Sequence, residues 1–283
     1  LYLNIWTPAL RGCGSGSEIR TDSRCDGHGL PVMVWLYGGA FQTGSTCEKE
    51  FNGEQLARQG VVVVSIAYRL NVFGFFAHAM LEKEAVDGRP CANFGFLDQR
   101  MGIQWVKDNI ALFGGDPANI TVFGQSAGAA SALAQSVSPM NDGLFQRVIM
   151  QSGGGTGLFN RHLWSLEDAQ RNGARFLKYL EVESIAEARS VPATDLLEAA
   201  VTFPACDWSG QGDDVVWASM TNWIPCVDGT FLVEQYRDAL IAGHRVPCDL
   251  LVGNTTGEFM VPGPDGTPYP EGECGNLDMI DAW

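Results

Sequence analysis

Ile120-Thr121-Val122-Phe123-Gly124-Gln125-Ser126-Ala127-Gly128-Ala129-Ala130 is the stretch on which the reading of this chain turns. Its opening residues are β-branched or aromatic, a strand pattern. Its closing residues are small, and they continue as an alanine-rich helix over 129–137 that stops before Pro139. Between the two lies Gly-x-Ser-x-Gly, which in a strand–turn–helix context describes a nucleophile elbow. The serine stands on a sharp, strained turn, and Gly124 and Gly128 are small enough for the chain to fold back. The helix behind it aims backbone N–H groups and the positive end of its dipole at the place where negative charge would develop.

Working outward, Pro31 to Tyr37 is a continuous apolar run closed by Gly38-Gly39, and Val61 to Tyr68 is apolar on both faces. Strands of this kind belong to a sheet covered by helices on each side. Residues 97–113 switch to helical spacing, with Met101, Trp105 and Leu112, beside Ile103, Val106, Ile110 and Phe113, describing a wide apolar face. Gly114-Gly115-Asp116-Pro117 ends it. Arg147–Met150 and Val246–Val252 read as further strands, 165–190 as helical and 192–224 as irregular. Strand, helix, strand, turn, helix, strand is the order of a doubly wound, mostly parallel α/β sheet.

The organisation expected is a core sheet with the elbow over 1–153, a cap-like segment over 154–245 and a return to the core over 246–283. Leu1 to Trp6 alternates like a strand already under way, and Asp281-Ala282-Trp283 carries no closing cap. The chain therefore reads as an internal piece of a longer one, incomplete at both ends. Its unpaired sheet edges predict poor solubility when it is expressed alone.

Of the 283 residues 46% are apolar and 18% charged, enough to bury a sizeable core and too apolar for global disorder. No apolar run approaches the ~18 residues of a membrane span. The net charge of −15 repels a phosphate backbone and argues against nucleic-acid binding. Most of it sits between Asp195 and Asp281, where 15 acidic residues face two basic ones, a solvated acidic face. The eight cysteines (13, 25, 47, 91, 206, 226, 248, 274) have no Cys-x-x-Cys spacing, so neither a zinc knuckle nor a redox pair is indicated. Their even number predicts disulfides in a secreted or extracellular protein, and the sequons at Asn119 and Asn254 are compatible with export.

Acyl transfer needs donors for an oxyanion. One is the amide after the nucleophile, that of Ala127, and others come from a glycine loop after an earlier strand, where small side chains let a carbonyl oxygen approach the backbone. Tyr37-Gly38-Gly39-Ala40-Phe41 is such a loop at the end of such a strand.

Phe113-Gly114-Gly115-Asp116-Pro117 followed by Ile120 to Gly128 closely resembles the serine signature of the type-B carboxylesterase and cholinesterase family. Leu1-Tyr2-Leu3-Asn4-Ile5-Trp6-Thr7-Pro8 is similar to the end of a second signature of that family. Ala67-Tyr68-Arg69-Leu70, Phe73-Gly74-Phe75, Asn93 to Arg100 and Gln151-Ser152-Gly153 match in the same order. The resemblance covers most of 1–160 and weakens beyond it. It implies an α/β-hydrolase fold and a serine acyl-enzyme mechanism on small-molecule carboxylic esters, with no cofactor. Ser126 is then the nucleophile, and Gly39, Ala40 and Ala127 supply the oxyanion amides. Phe159 falls where the family places an aromatic of the acyl pocket. Gln125 departs from the Glu of cholinesterases, which argues against a true acetylcholine hydrolase.

In the family the acid that orients the histidine is a Glu after a strand and a glycine, and Glu258 occupies that position with altered flanks, Gly257 and Phe259. The chain order is Ser, Glu, His. His28, His78, His162 and His244 all precede Glu258 and read as surface or structural residues. The base is thus expected beyond the residues given, and these residues alone are expected to be inactive. The rival reading is a cholinesterase-like adhesion or binding module that keeps the fold without the chemistry; an intact Ser126 weighs against it.

Overall fold

Branched side chains set the sheet. The computed structural model describes residues 1–9, 29–85, 91–153, 155, 162–204 and 222–255. Its strands are β1 (Leu3–Trp6), β2 (Leu30–Leu36), β3 (Val62–Ile66), β4 (Gly115–Gln125), β5 (Arg147–Gln151), β6 (Trp164–Ser165), β7 (Cys226–Val227) and β8 (Asp249–Gly253). Its helices are α1 (Glu54–Ala57), α2 (Asn71–Phe75), α3 (Ala79–Glu84), α4 (Phe94–Asn109), α5 (Ala127–Val137), α6 (Leu166–Tyr179), α7 (Ile185–Ser190), α8 (Ala193–Thr202) and α9 (Tyr236–Ala242). Six strands form one sheet in the order β1-β3-β2-β4-β5-β8, with β1 antiparallel to β3 and every other pair parallel. β6 and β7 make a separate parallel ribbon.

Val32, Val34, Leu36, Val62, Val64, Ile120 and Val122 have no exposed surface. Every residue of β3 is buried, as a parallel sheet packed on both faces requires. From β2 the chain crosses to β3 on one side and returns to β4 on the other. The carboxyl ends of β2 and β4 therefore flank the point where the strand order reverses, the crevice where open α/β sheets bind their ligands.

The helix expected over 97–113 is α4, which starts earlier at Phe94 and ends in a 3₁₀ turn at Ile110–Phe113. Its inward face is Phe96, Gln99, Ile103 and Val106, continued by Ile110, whereas Met101, Trp105 and Leu112 are 61, 37 and 72% exposed. The apolar stripe read from sequence was too wide. Polar Asp98 and Gln99 take the buried places because partners on other elements satisfy them. α4 lies close on the sheet because Gly102 leaves room for the Ile66 side chain, 2.7 Å from where a methyl group would stand. α5 is buried at all eleven positions; its alanines and serines allow the helix to press against strands without voids.

The helical span expected over 165–190 is two helices, α6 and α7, each capped by a serine, Ser165 and Ser184, accepting from the third amide onward. The span 192–224 is not irregular throughout, since α8 follows Pro192 on the helix-forming run Leu-Leu-Glu-Ala-Ala. Phe176 packs edge to face in this segment against both Phe203 and Trp223, which stack on each other, and the Phe176 and Trp223 centroids lie 4.8 Å apart. β8 is the last strand of the sheet among the described residues, and its Leu251 is 63% exposed.

The disulfide expectation is not met at the four described cysteines. Cys47, Cys91, Cys226 and Cys248 are free, and Cys226 and Cys248 are buried, packing as small apolar side chains. Cys13, Cys25, Cys206 and Cys274 lie outside the described residues. Among the described residues no helix is long and apolar enough to cross a membrane.

Arg69, in the turn after β3, is fastened to Asp98 of α4 by three bonds. Its amide (3.0 Å) and Nε (2.7 Å) share Oδ2, and Nη2 reaches Oδ1 at 2.7 Å. These bonds to Asp98 raise the guanidinium's pKa. The Asp98 side chain is 5% exposed and that of Arg69 50%. Asp98→Asn keeps the shape but leaves the guanidinium without its counter-charge. It is expected to cost about 1–3 kcal/mol, below the fully buried limit because Arg69 stays half in water. Urea melts of the two proteins check this.

Candidate functional site

The site is assembled where β4 gives way to α5. Ser126 sits between them at φ 56, ψ −126, a conformation that L residues adopt only under constraint. Its amide donates to the Gln151 carbonyl of β5 at 2.9 Å, and its carbonyl accepts from Ala130 at 3.0 Å as the first turn of α5. The turn closes this tightly because its glycines lack side chains. A methyl group on Gly128 would stand 2.0 Å from the Leu36 carbonyl oxygen, and one on Gly124 would stand 2.4 Å from the Gly128 carbonyl. One on Gly153 would stand 2.1 Å from the Ser126 carbonyl oxygen. Ser126 is partly exposed at the sheet's carboxyl edge.

The loop after β2 runs directly against this turn. A methyl group on Gly38 would meet the Gln125 carbonyl oxygen at 2.8 Å and Ser126 Cβ at 3.2 Å. Gly39, Ala40 and Phe41 then follow one another in the left-handed region, at φ 111, 55 and 63. The Gly39 carbonyl is turned away into the loop, accepting from Gln42 (2.9 Å) and Thr43 (3.1 Å). Gln42 Nε2 adds a tie to the Ala40 carbonyl (3.3 Å) and to that of Trp223 (2.8 Å). The Phe41 carbonyl is held by the Asn71 amide at 2.7 Å. With the carbonyls engaged, the amides of Gly39, Ala40 and Ala127 have no hydrogen-bond partner among the described residues. Ala127 is the first residue of α5, so its amide carries the helix dipole as well.

Tyr37, at the stem of the loop, and Tyr68, after β3, bond reciprocally. The Tyr37 hydroxyl donates to the Tyr68 carbonyl at 3.0 Å and accepts from the Tyr68 amide at 3.2 Å, and the Tyr68 hydroxyl donates to the Tyr37 carbonyl at 2.6 Å. The rings stack with centroids 4.3 Å apart. Burial pushes the Tyr37 phenol up to about 12 and raises that of Tyr68 well above its ordinary value, so both are neutral donors at physiological pH.

Of the residues singled out from sequence, Ser126, Gly39, Ala40 and Ala127 come together at one sheet edge. Glu258 and Phe159 lie outside the described residues. The chain leading toward Glu258 leaves the same edge: Gly253 of β8 is in register with Gln151, and its carbonyl accepts from the Ser152 amide at 2.8 Å. Sequence reading missed the tyrosine pair and the reason for Gly38 and Gly153. Tyr68 and Gly153 stood inside matched motifs, and that was the only available signal.

The described histidines serve elsewhere. His162 is exposed, and His244 Nδ1 lies 2.8 Å from Glu234 on the surface. His28 is outside the described residues. Buried His78 caps α3, its Nδ1 accepting from the Met80 amide at 3.1 Å, which requires the neutral ring. Burial lowers its pKa from 6.5. Protons therefore bind the unfolded chain in preference, so the contribution of His78 is intact above about pH 6.5 and is lost as pH falls toward the lowered folded value. His78→Asn keeps a capping acceptor without the titration, and its melting temperature is expected to fall less than wild type's between pH 8 and pH 5.

The chain matches the carboxylesterase family model over residues 1–271. It is 42% identical over 173 residues to the fumonisin B1 esterase of Sphingopyxis macrogoltabida, a match covering 61% of this chain and 28% of that protein. It is 37% identical over 276 residues to the para-nitrobenzyl esterase of Bacillus subtilis (strain 168), covering 94% of this chain and 49% of that one. A solved structure of a PNB esterase superposes with TM-score 0.72 at 32% identity, over 93% of this chain and 50% of the other. The chain thus spans about half the length, or less, of these relatives.

Proposed function

Because the chain belongs to the carboxylesterase family and has the α/β-hydrolase fold, we propose that the full-length protein hydrolyses carboxylic esters through a serine acyl-enzyme. Ser126 Oγ attacks the acyl carbonyl carbon while its proton passes to a histidine beyond Trp283, and Glu258 orients that histidine and stabilises the imidazolium. The carbonyl oxygen, now an anion, lies among the amides of Gly39, Ala40 and Ala127. The intermediate collapses, the alcohol leaves with the histidine's proton, and water attacks the acyl carbon by the same route to release the acid. Phe159 lines the acyl side of the pocket.

One observation carries the reading: a partly exposed serine held at φ 56, ψ −126 at the head of a buried helix, against a loop whose Gly39 and Ala40 amides have no hydrogen-bond partner among the described residues. A module that only binds partners has no use for that strain, which favours chemistry over adhesion. An extracellular setting is supported by the two sequons, and the four described cysteines, being free, add nothing to it. The test is incubation of full-length protein with p-nitrophenyl acyl esters and a fluorophosphonate. Turnover together with a single adduct on the peptide carrying Ser126 is expected; folded protein that does neither overturns the proposal.

A further inference from the structure

Two separate elements supply the oxyanion amides, the loop after β2 and the first turn of α5, and a hole of this kind works only if its donors are fixed before the anion forms. β2 and β4 are hydrogen-bonded only as far as Leu36 and Gly124, just short of both elements. The glycine loop beyond Leu36 needs a further hold of its own.

We propose that Tyr68 is a positioning residue for ester hydrolysis, a brace from the turn after β3 whose hydroxyl holds the glycine loop at the Tyr37 carbonyl. On the loop side are the three hydrogen bonds and the stacked rings shared with Tyr37, the residue just before Gly38. The helix side is fixed by a separate set of bonds. Ser131 Oγ donates to the Ala127 carbonyl at 2.8 Å and accepts from Gln99 Nε2 at 3.0 Å. Gln99 Oε1 in turn accepts from Gln135 Nε2 at 3.0 Å, and Asn141 Nδ2 donates to Gln135 Oε1 at 2.8 Å. Tyr37 and Tyr68 are 2 and 5% exposed, and Ser131, Gln99, Gln135 and Asn141 are sealed from solvent. The tyrosine pair thus ties the end of β2 to the turn after β3, and the second set ties α4 to α5, both in a dry interior where each bond is directional and costly to leave unmade. The first ends at the residue before the glycine loop, the second at the residue that opens α5. Core apolar residues would fill the same space, but they would not fix the orientation of the Tyr37–Gly38 peptide.

The kinetic part of the test rests on the ester-hydrolysis reading; the exchange part does not. In full-length protein, Tyr68→Phe keeps the stacked ring and removes the bond to the Tyr37 carbonyl. A fall of about tenfold in kcat is expected, smaller than the 10²–10³ for deleting a donor outright. KM should stay within about twofold, and the pH midpoint should not move because the base is untouched. Tyr37→Phe, which keeps the carbonyl acceptor, should lose less. Ile110→Val, buried beside Gly115 at the opposite end of the sheet, serves as a destabilised control with unaltered kcat. By hydrogen–deuterium exchange, amides of 37–44 should exchange about five- to tenfold faster in Tyr68→Phe, with 127–130 and β2 unaffected. Folded Tyr68→Phe with wild-type kcat, or exchange unchanged in 37–44, would overturn the proposal. Absence of turnover in wild type would instead defeat the ester-hydrolysis reading and leave exchange to decide this one.

Discussion

Replacing Ser126 by Ala is expected to lower ester hydrolysis by the full-length protein about 10⁴- to 10⁶-fold, the range seen when a nucleophile is removed and its oxyanion donors remain. KM should change little, because the oxygen acts on the acyl carbon and not on the rest of the substrate. The fold should be unharmed, since no described residue hydrogen-bonds to the Ser126 side chain. Ser126→Gly separates catalysis from stability still further. At φ 56, ψ −126 a glycine relieves strain that serine and alanine share, so this variant should be inactive and about 1 kcal/mol more stable than Ser126→Ala in guanidinium titrations. A serine kept at a cost to stability is what a strained nucleophile predicts. Equal, slow rates for folded wild type and Ser126→Ala would end the hydrolytic reading; equal stabilities for the Gly and Ala variants would end the claim of strain.

What was legible in sequence was what is local. Strand, turn and helix around Ser126 occupy consecutive residues, so pattern and glycine positions sufficed to place them. β2, β3 and β5 were legible because strands of a helix-covered parallel sheet are short, branched and uninterrupted, β3 being buried throughout. Errors arose where distant partners decide. Asp98 and Gln99 face inward because Arg69, Ser131 and Gln135 meet them there, and periodicity alone gives polar residues to solvent. The two tyrosines that embrace are 31 positions apart, and nothing in either neighbourhood announces the other. α2 has a glycine in its five residues and no intrinsic reason to be helical. It holds because Phe75 packs edge-on against Phe41 and Phe96, centroids 5.1 and 5.5 Å away. α8 is a different case: Pro192 and the alanine- and leucine-rich run after it were visible, and the acidic and tryptophan-rich residues beyond obscured them. Glu258 and Phe159 rest on motif position alone.

The second large effect is expected at Gly128, where Ala should cost about 3–5 kcal/mol and leave any folded fraction at least 10²-fold slower. The added methyl would lie 2.0 Å from the Leu36 carbonyl oxygen and 2.8 Å from the Leu36 carbonyl carbon and the Tyr37 oxygen. These are backbone atoms, so no rotamer change relieves the contact; helix and strand have to separate. Neither is free to do so. α5 is buried along its whole length, and Leu36 ends a strand paired on both sides. Separation also widens the gap between the Ala127 amide and those of Gly39 and Ala40, so the loss of rate has the same geometric origin as the loss of stability. Gly143→Ala is the comparison. Gly143 is also left-handed, at φ 74, but a methyl group there meets nothing within 4 Å. Only backbone strain remains, about 1 kcal/mol, with the rate unchanged. Guanidinium titration and ester turnover on both variants distinguish contact from strain: a Gly128→Ala protein no less stable than Gly143→Ala, and as fast as wild type, would mean that β2 and α5 do not meet as closely as this.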